Sequence, residues 1–328
     1  MDDGSGVSPE AAIEAVGEGR SIIFVTAHPD QEEAAIAQRL GADVVRLPSA
    51  GANPGRARNA GYRRLKVLNL SLDYVQFVNS SFVLHADWFD EAVDFMNRRS
   101  EVAVVDGFVD IEPAATGVIA AIGAFSHANE HGERASCSDN IFVRADAFEA
   151  AGGFRGDISA NDTADLCIRL RRRGRHVWRA DTQMGVAKMR TRKLGDWWRD
   201  AKRDGRRYAH GAALHGAAPE RYFVLEQARA IIWGGAFPAF IVLCSVFMGL
   251  GVYFMSPLVN PVLVAGAVAA VGVFVYTAKV FVIALRHGLF SWTAWRYGAF
   301  TTLGHFPEFL GVADYHLNAK PAASAPAS

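Results

Sequence analysis

Val75–Phe89 reads VQFVNSSFVLHADWF. It begins as an apolar strand and runs into Asn79, Ser80 and Ser81, three small uncharged residues. A helix then follows in HADWFDEAVDFMNRR, with Asp87 near its start. The neighbouring segments continue the alternation. SIIFV, from Ser21, reads as a strand, and DQEEAAIAQRLG as an amphipathic helix ending at Gly41. ADVVRL is a strand, GRARNAGYRRLK opens a helix, and VAVVDGFV is a strand again. Apolar strands alternating with amphipathic helices predict an α/β fold, a mostly parallel sheet with helices on both faces. Ligands in such sheets sit beyond the carboxyl ends of the strands. Asn79–Ser81 occupies one of those ends.

The 328 residues carry 34 Lys+Arg and 34 Asp+Glu, so overall charge points to no particular partner. The balance is uneven along the chain. Between Arg169 and Arg207 there are fifteen Lys/Arg against four Asp. Cys137, Cys167 and Cys244 match neither a disulfide framework nor a zinc site, and free thiols fit a reducing compartment. The opening MDDGSGVSPEAA is acidic and polar, unlike a signal peptide.

From Ala230 to Ala278 no Asp, Glu, Lys, Arg or His occurs, and the flanks are Arg229 and Lys279. About 20 apolar residues cross a bilayer core as a helix, so the run is two spans long. It breaks at SPLVNP, Ser256–Pro261, which reads as a turn. The expected spans are 231–254 and 261–284. Trp233, Tyr253 and Tyr276 lie near their ends and favour lipid over a pair of buried soluble helices. Basic residues flank the hairpin and are missing from its turn, which places both termini on the cytoplasmic side. LFSWTAWRYGAFTTLGHFPEFLGV, from Leu289, reads as one or two helices lying on the membrane. KLGDWWRDAKRDGRRYAHG, with Trp197 and Trp198 among Lys and Arg, suits an anionic lipid surface. The rival readings are a solvated charged helix and a nucleic-acid contact; the neighbouring hairpin argues against nucleic acid.

The order of segments is recognisable. GADVVRLPSAGANPGRARNAGYRRL, DYVQFVNSSFVLHADWF, CSDNIFVRADAFEAAGGFRGD, NDTADLCIRLRRRGRHVWRAD and GDWWRDAKRDGRRYAHGAALHG, followed by the hairpin, resemble a family 2 glycosyltransferase of the GT-A (Rossmann-like) fold, of the membrane-anchored bacterial polysaccharide type. The resemblance spans residues 20–315. It implies a polar tail and short helix over 1–20 and a GT-A-like domain over 21–190. Basic, aromatic interface helices follow over 191–228, two transmembrane helices over 229–286, and an interfacial helix with a disordered tail over 287–328.

The family's reactive positions are altered. Its D-x-D pair, which seats a divalent cation on a nucleotide-sugar, aligns with Asn79 and Ser81. Its acidic pair, whose second member acts as general base, aligns with Asp162 and Thr163. Asp165 falls on the following helix and reads as a helix-start residue. A His that helps bind metal and diphosphate aligns with Ala187. The leading Asp of the nucleobase loop aligns with Thr26, with His28 and Asp30 nearby. The strand that opens the family's fold has no counterpart before Ser21, which a start codon set too far downstream would explain. Thr26, Arg56, Arg58 and Asn59 are the candidate nucleotide or phosphate contacts, with helix-start surface charge as the alternative for the two arginines. Asp139, Gly152, Gly153 and Phe154 are the candidate acceptor groove, with a turn as the alternative for the glycines. Trp197 and Trp198 are the candidate membrane interface.

Loss at separated segments predicts a pseudoenzyme that supports an active transferase or another polysaccharide-assembly subunit at the inner membrane. An active, metal-independent transferase is the first alternative. A module that binds glycan or lipid-linked sugar is the second. No cofactor is expected, and Mg2+ or Mn2+ enters only if the chain is an active transferase. Membrane lipid is an expected partner and nucleic acid is not.

Overall fold

The computed structural model describes residues 8–27, 31–50, 53–69, 71–111, 131–158, 160–188, 194–256 and 258–318. The chain divides into two compact units. One comprises Met1–Ala115 and His127–Arg190, the other Thr116–Ser126 and Thr191–Ser328.

The first unit alternates as its sequence pattern requires. A short helix, α1 (Glu10–Glu14), leads to β1 (Ile23–Thr26), α2 (Gln31–Arg39) and β2 (Asp43–Arg46). Helix α3 (Pro54–Leu68) has Pro54 in its first turn, and its preceding Asn53 side chain accepts from the Arg56 N–H at 2.8 Å. Strand β3 (Tyr74–Phe77), the Asn79–Ser81 turn, β4 (Phe82–Leu84) and α4 (Trp88–Arg98) follow. Then come β5 (Val102–Ile111), β6 (Gly132–Glu133), β7 (Ile141–Arg144), α5 (Ala145–Ala150), α6 (Asp162–Arg171) and β8 (His176–Ala187).

The main sheet has the order β3-β7-β5-β8-β4, with β6 also on β8. Strands β1 and β2 form a separate two-stranded sheet. The pairs β1–β2 and β5–β8 are parallel, and the other four are antiparallel. The sheet is thus mixed, where strand–helix alternation predicts a mostly parallel one. Strands β3 and β4 are joined by a tight turn with no crossover helix, so nothing holds β4 parallel to its neighbours. Helices do cover both faces. Val104 and Val143 point into one core with Tyr62, Phe148, Leu166 and Leu170. Their sequence neighbours Val105 and Phe142 point into the opposite core with Trp88, Met96 and Met184. Trp88 is fully buried, and its indole N–H donates to Gln76 Oε1 at 2.8 Å.

The second unit is helical: α7 (Leu194–His215), α8 (Val224–Ile231), α9 (Phe237–Met255), α10 (Pro261–His287) and α11 (Trp292–Asn318). Helices α8 and α9 join through a π-helical turn at Ile232–Ala236. Pro238 lacks the N–H that would bond back to Gly234, which accounts for the wide turn ahead of it. The resulting 32-residue helix Val224–Met255 and the 27-residue Pro261–His287 are both long and apolar enough to cross a membrane. Both run beyond the spans expected at 231–254 and 261–284. Lys279, which bounds the uncharged run and falls within the expected second span, lies inside α10 with its ammonium 4.3 Å from the Trp233 ring centroid. The segment expected to be one or two membrane-surface helices is the single helix α11, which packs on α7. A Cβ at Gly205 would sit 1.9 Å from the Glu308 carbonyl oxygen, and one at Gly311 1.9 Å from that of Lys202. Only glycine permits this approach.

Candidate active site

The tips of β4 and β8 bring together residues that lie far apart in the sequence. Phe82 is the cross-strand partner of Ala187, and the Lys188 N–H donates to the Ser81 carbonyl at 2.8 Å. The Asn79 N–H donates to Asn140 Oδ1 at 2.8 Å, and its carbonyl accepts from the Phe82 N–H at 3.1 Å. Asn79, Ser81 and Ala187 therefore share one rim, the three positions aligned above with the family's metal and diphosphate ligands. An amide, a hydroxyl and a methyl supply no negative charge, and hard divalent cations are held by carboxylate oxygens. The residues present do not fit a divalent cation. Among the described residues no cluster of three or more His, Cys, Asp or Glu could hold one.

A second constellation is charged and closed. Arg58, on α3, is 8% exposed, and its Nη1 donates to Asp162 Oδ2 at 2.9 Å and to Thr163 Oγ1 at 3.1 Å. Its Nη2 donates to the Asp139 carbonyl at 3.2 Å. The Thr163 hydroxyl donates to Asp139 Oδ1 at 3.2 Å. Asn161, in the left-handed region at φ 62°, starts α6 and directs Asp162 and Thr163 toward Arg58. Burial pushes the Asp162 carboxyl above its ordinary value, outweighing the pull of the Arg58 guanidinium; the nearby Asp139 adds to the rise. Asp165 forms a 2.8 Å ion pair with Arg169 one turn on, in keeping with a helix-start residue.

The remaining candidates surround that cluster. Asn59 clamps Phe154, accepting from its N–H at 3.0 Å and donating to its carbonyl at 2.7 Å. Gly152 and Gly153 form the turn before it, with φ of 78° and 70°. A Cβ on Gly153 would lie 2.7 Å from Asn59 Oδ1. Arg56 Nε donates to the Gly156 carbonyl at 2.6 Å. Arg56, Arg58 and Asn59 thus tie α3 to the segments around residues 154–163. Arg58 is buried, so surface charge does not describe it. Thr26 is buried at the end of β1, and its carbonyl accepts from the Leu47 N–H at 2.9 Å. His28 and Asp30 lie outside the described residues. In the second unit, Trp197 packs on Phe300 with ring centroids 5.1 Å apart, while Trp198 is exposed. The basic face of α7 is partly neutralised by its own acids: Asp200 pairs with Arg203 at 3.3 Å and Asp204 with Arg207 at 3.5 Å.

One buried pair escapes sequence reasoning. Asp106 is fully buried and receives Arg179 through Nε and Nη2, each at 3.0 Å, and the Ser138 N–H at 3.0 Å. Its signal is a lone acid inside the apolar run VAVVDGFV and a lone Arg inside HVWRAD. The pair joins β5 to β8 and fixes the loop that carries Asp139 and Asn140 toward the rim.

Solved structures place this architecture. The mannosyltransferase PcManGT from Pyrobaculum calidifontis, in complex with GDP-Man and Mn2+, aligns with a TM-score of 0.54 at 12% identity, over 98% of this chain and 86% of that one. The chain has a glycosyltransferase-like fold. S. aureus TarS aligns with the glycosyltransferase-like chain at a TM-score of 0.44 and 11% identity, over 62% of this chain and 38% of that one. Its 1–349 fragment aligns at 0.41 and 11%, over 96% and 90%. No family model and no curated protein matches the sequence.

Proposed function

We propose that the chain is a membrane-anchored pseudo-glycosyltransferase of bacterial surface or exopolysaccharide assembly, resembling family 2. In this reading it no longer transfers sugar and instead supports or scaffolds an active transferase. The neutral rim of Asn79, Ser81 and Ala187 is the observation that supports it. A departing nucleoside diphosphate needs its charge neutralised, and a rim without carboxylates has no means to seat the cation that would do so. Thr163 cannot accept a proton near neutral pH, and Asp162 is engaged by Arg58. The two apolar helices anchor the protein in the inner membrane, with both termini and the sheet unit cytoplasmic, because Arg229 and the basic α7 flank the hairpin while its turn carries no Lys or Arg. Isothermal titration of the detergent-solubilised chain with UDP- and GDP-sugars, with and without Mn2+, tests the reading. Silence in both titrations, with a transferase co-purifying from native membranes, is the expected result. Micromolar, Mn2+-dependent binding overturns it.

A second reading has one observation in its favour. The raised carboxyl of Asp162 sits closer to the range in which it accepts a proton from a sugar hydroxyl. In a metal-independent transferase, Asp162 would be the base, and Arg56, Arg58 or Lys188 would meet the diphosphate. Turnover lost in Asp162→Asn supports this reading. Turnover unchanged by that substitution removes its base.

A further inference from the structure

Lys279 is a charge inside a helix long and apolar enough to cross a membrane, and such a charge needs a partner. Its side chain points across the hairpin, with the ammonium over the face of Trp233. An ammonium carries three N–H donors, and an aromatic face accepts none of them as a carboxylate would. Among the described residues Lys279 makes no ion pair and no hydrogen bond. Glu308 and Arg229 lie close enough for their charges to act on it. The Glu308 carboxylate is engaged elsewhere, with Oε2 2.8 Å from His305 Nδ1. Arg229 stands one helical turn before Trp233, on the same helix face, and is exposed. Two cations thus stand together against one acid. Thr302 adds a polar group at this level. Its neighbours four residues either way, Gly298 and Phe306, meet α10 at the Val280 carbonyl and at Tyr276. The Thr302 hydroxyl, in a residue 1% exposed, has no hydrogen-bond partner among the described residues.

We propose that Lys279 and Arg229 form a binding site for the phosphate of an anionic phospholipid, with Trp233 as its wall. The depth fits. From Pro261 to Lys279 the helix rises about 27 Å at 1.5 Å per residue. The hydrocarbon layer is ~30 Å thick. With the hairpin turn at one boundary, Lys279 reaches the other, where lipid phosphates lie. Trp233 and Tyr276 belong at that same level, and the Tyr276 hydroxyl donates to the Trp233 carbonyl, holding the turn against α10. The charge fits as well. Lys279 and Arg229 against Glu308 leave one positive charge while His305 is neutral, and a phosphodiester carries one negative charge. The Arg229 guanidinium can meet two phosphate oxygens at once, and the Lys279 ammonium acts as a point charge. Basic pockets between membrane helices hold lipid headgroups in this way. The exposed apolar side chains of α9 and α10 leave room for the acyl chains beside the pair. This inference rests on the hairpin crossing the membrane and not on whether the fold transfers sugar.

The test is native mass spectrometry of the full, delipidated chain in detergent, titrated with phosphatidylglycerol, with zwitterionic phosphatidylcholine and with inorganic phosphate. The first phosphatidylglycerol should bind about tenfold more tightly than the first phosphatidylcholine. Lys279→Gln with Arg229→Gln should bring the two lipids level, and Lys279→Arg should keep the preference. Arg199→Gln, an exposed basic position on α7, should leave it unchanged. Equal binding of the two lipids by the unsubstituted chain overturns the proposal, and that comparison needs no variant to fold. A preference that survives the double substitution, or that falls equally with Arg199→Gln, also overturns it, because the lipid is then read by the basic surface at large. Inorganic phosphate that displaces phosphatidylglycerol at equal concentration assigns the site to a soluble ion and overturns it too. A chain that stays dispersed without detergent and takes up neither lipid contradicts the membrane anchor itself. A chain that takes up both lipids alike contradicts only the site.

Discussion

The rim at Asn79, Ser81 and Ala187 and the cluster at Arg58, Asp162, Thr163 and Asp139 are the two ends of one candidate site, and they differ in kind. The rim is neutral, half-buried and held mainly by backbone bonds. The cluster is charged, largely buried and held by side chains that reach more than a hundred residues along the chain. A rim substitution leaves its scaffold standing. A substitution in the cluster leaves a buried charge without its partner. The fold therefore tolerates erosion at the first place and resists it at the second, whatever becomes of the chemistry.

Arg58→Met probes the difference where the effect should be largest. It strands Asp162 in a buried environment, so a stability loss of about 3–5 kcal/mol is expected in chemical denaturation. Arg179→Met, which removes a bidentate partner from Asp106, should cost about 2–3 kcal/mol in the same measurement, because Arg179 is partly exposed. Gly153→Ala should cost about 1–3 kcal/mol, since it forces a side chain into the left-handed region against Asn59. The loss should be smaller when Asn59→Ala is already present, because the clashing oxygen is then gone.

The fold's order was legible because apolar strands and capped helices leave local marks. Asn53-Pro54 announces α3, and alternate valines announce β5. Asn79–Ser81 was legible as the end of such a strand, whereas Ala187 was singled out only through the family resemblance. What was hidden depends on partners distant in sequence. Arg58 looks like one more charge at a helix start until Asp162, 104 residues later, is placed against it. Asp106 and Arg179, 73 residues apart, are each a lone charge in an apolar strand. The packing of helix α11 on α7 was hidden too, because the glycines that allow it, Gly205 and Gly311, lie 106 residues apart.

Two smaller effects sharpen the comparison. Because the folded state holds a proton on Asp162 more tightly than the unfolded chain does, that group's stabilisation is full below its ordinary value and fades as pH rises through the raised folded value. Asp162→Asn should remove this fall from the pH–stability profile. The double substitution Asn79→Asp with Ser81→Asp should change stability by less than about 1 kcal/mol, as expected for half-buried positions. It should nevertheless create Mn2+ binding visible by calorimetry.

The most direct test is an anomalous difference map from crystals of the unsubstituted protein soaked with Mn2+ and a GDP- or UDP-sugar. A pocket that has lost the charge to seat a cation should give no peak beside Asn79 and Ser81. A well-occupied manganese ion there, with the donor diphosphate bound to it, would contradict that account.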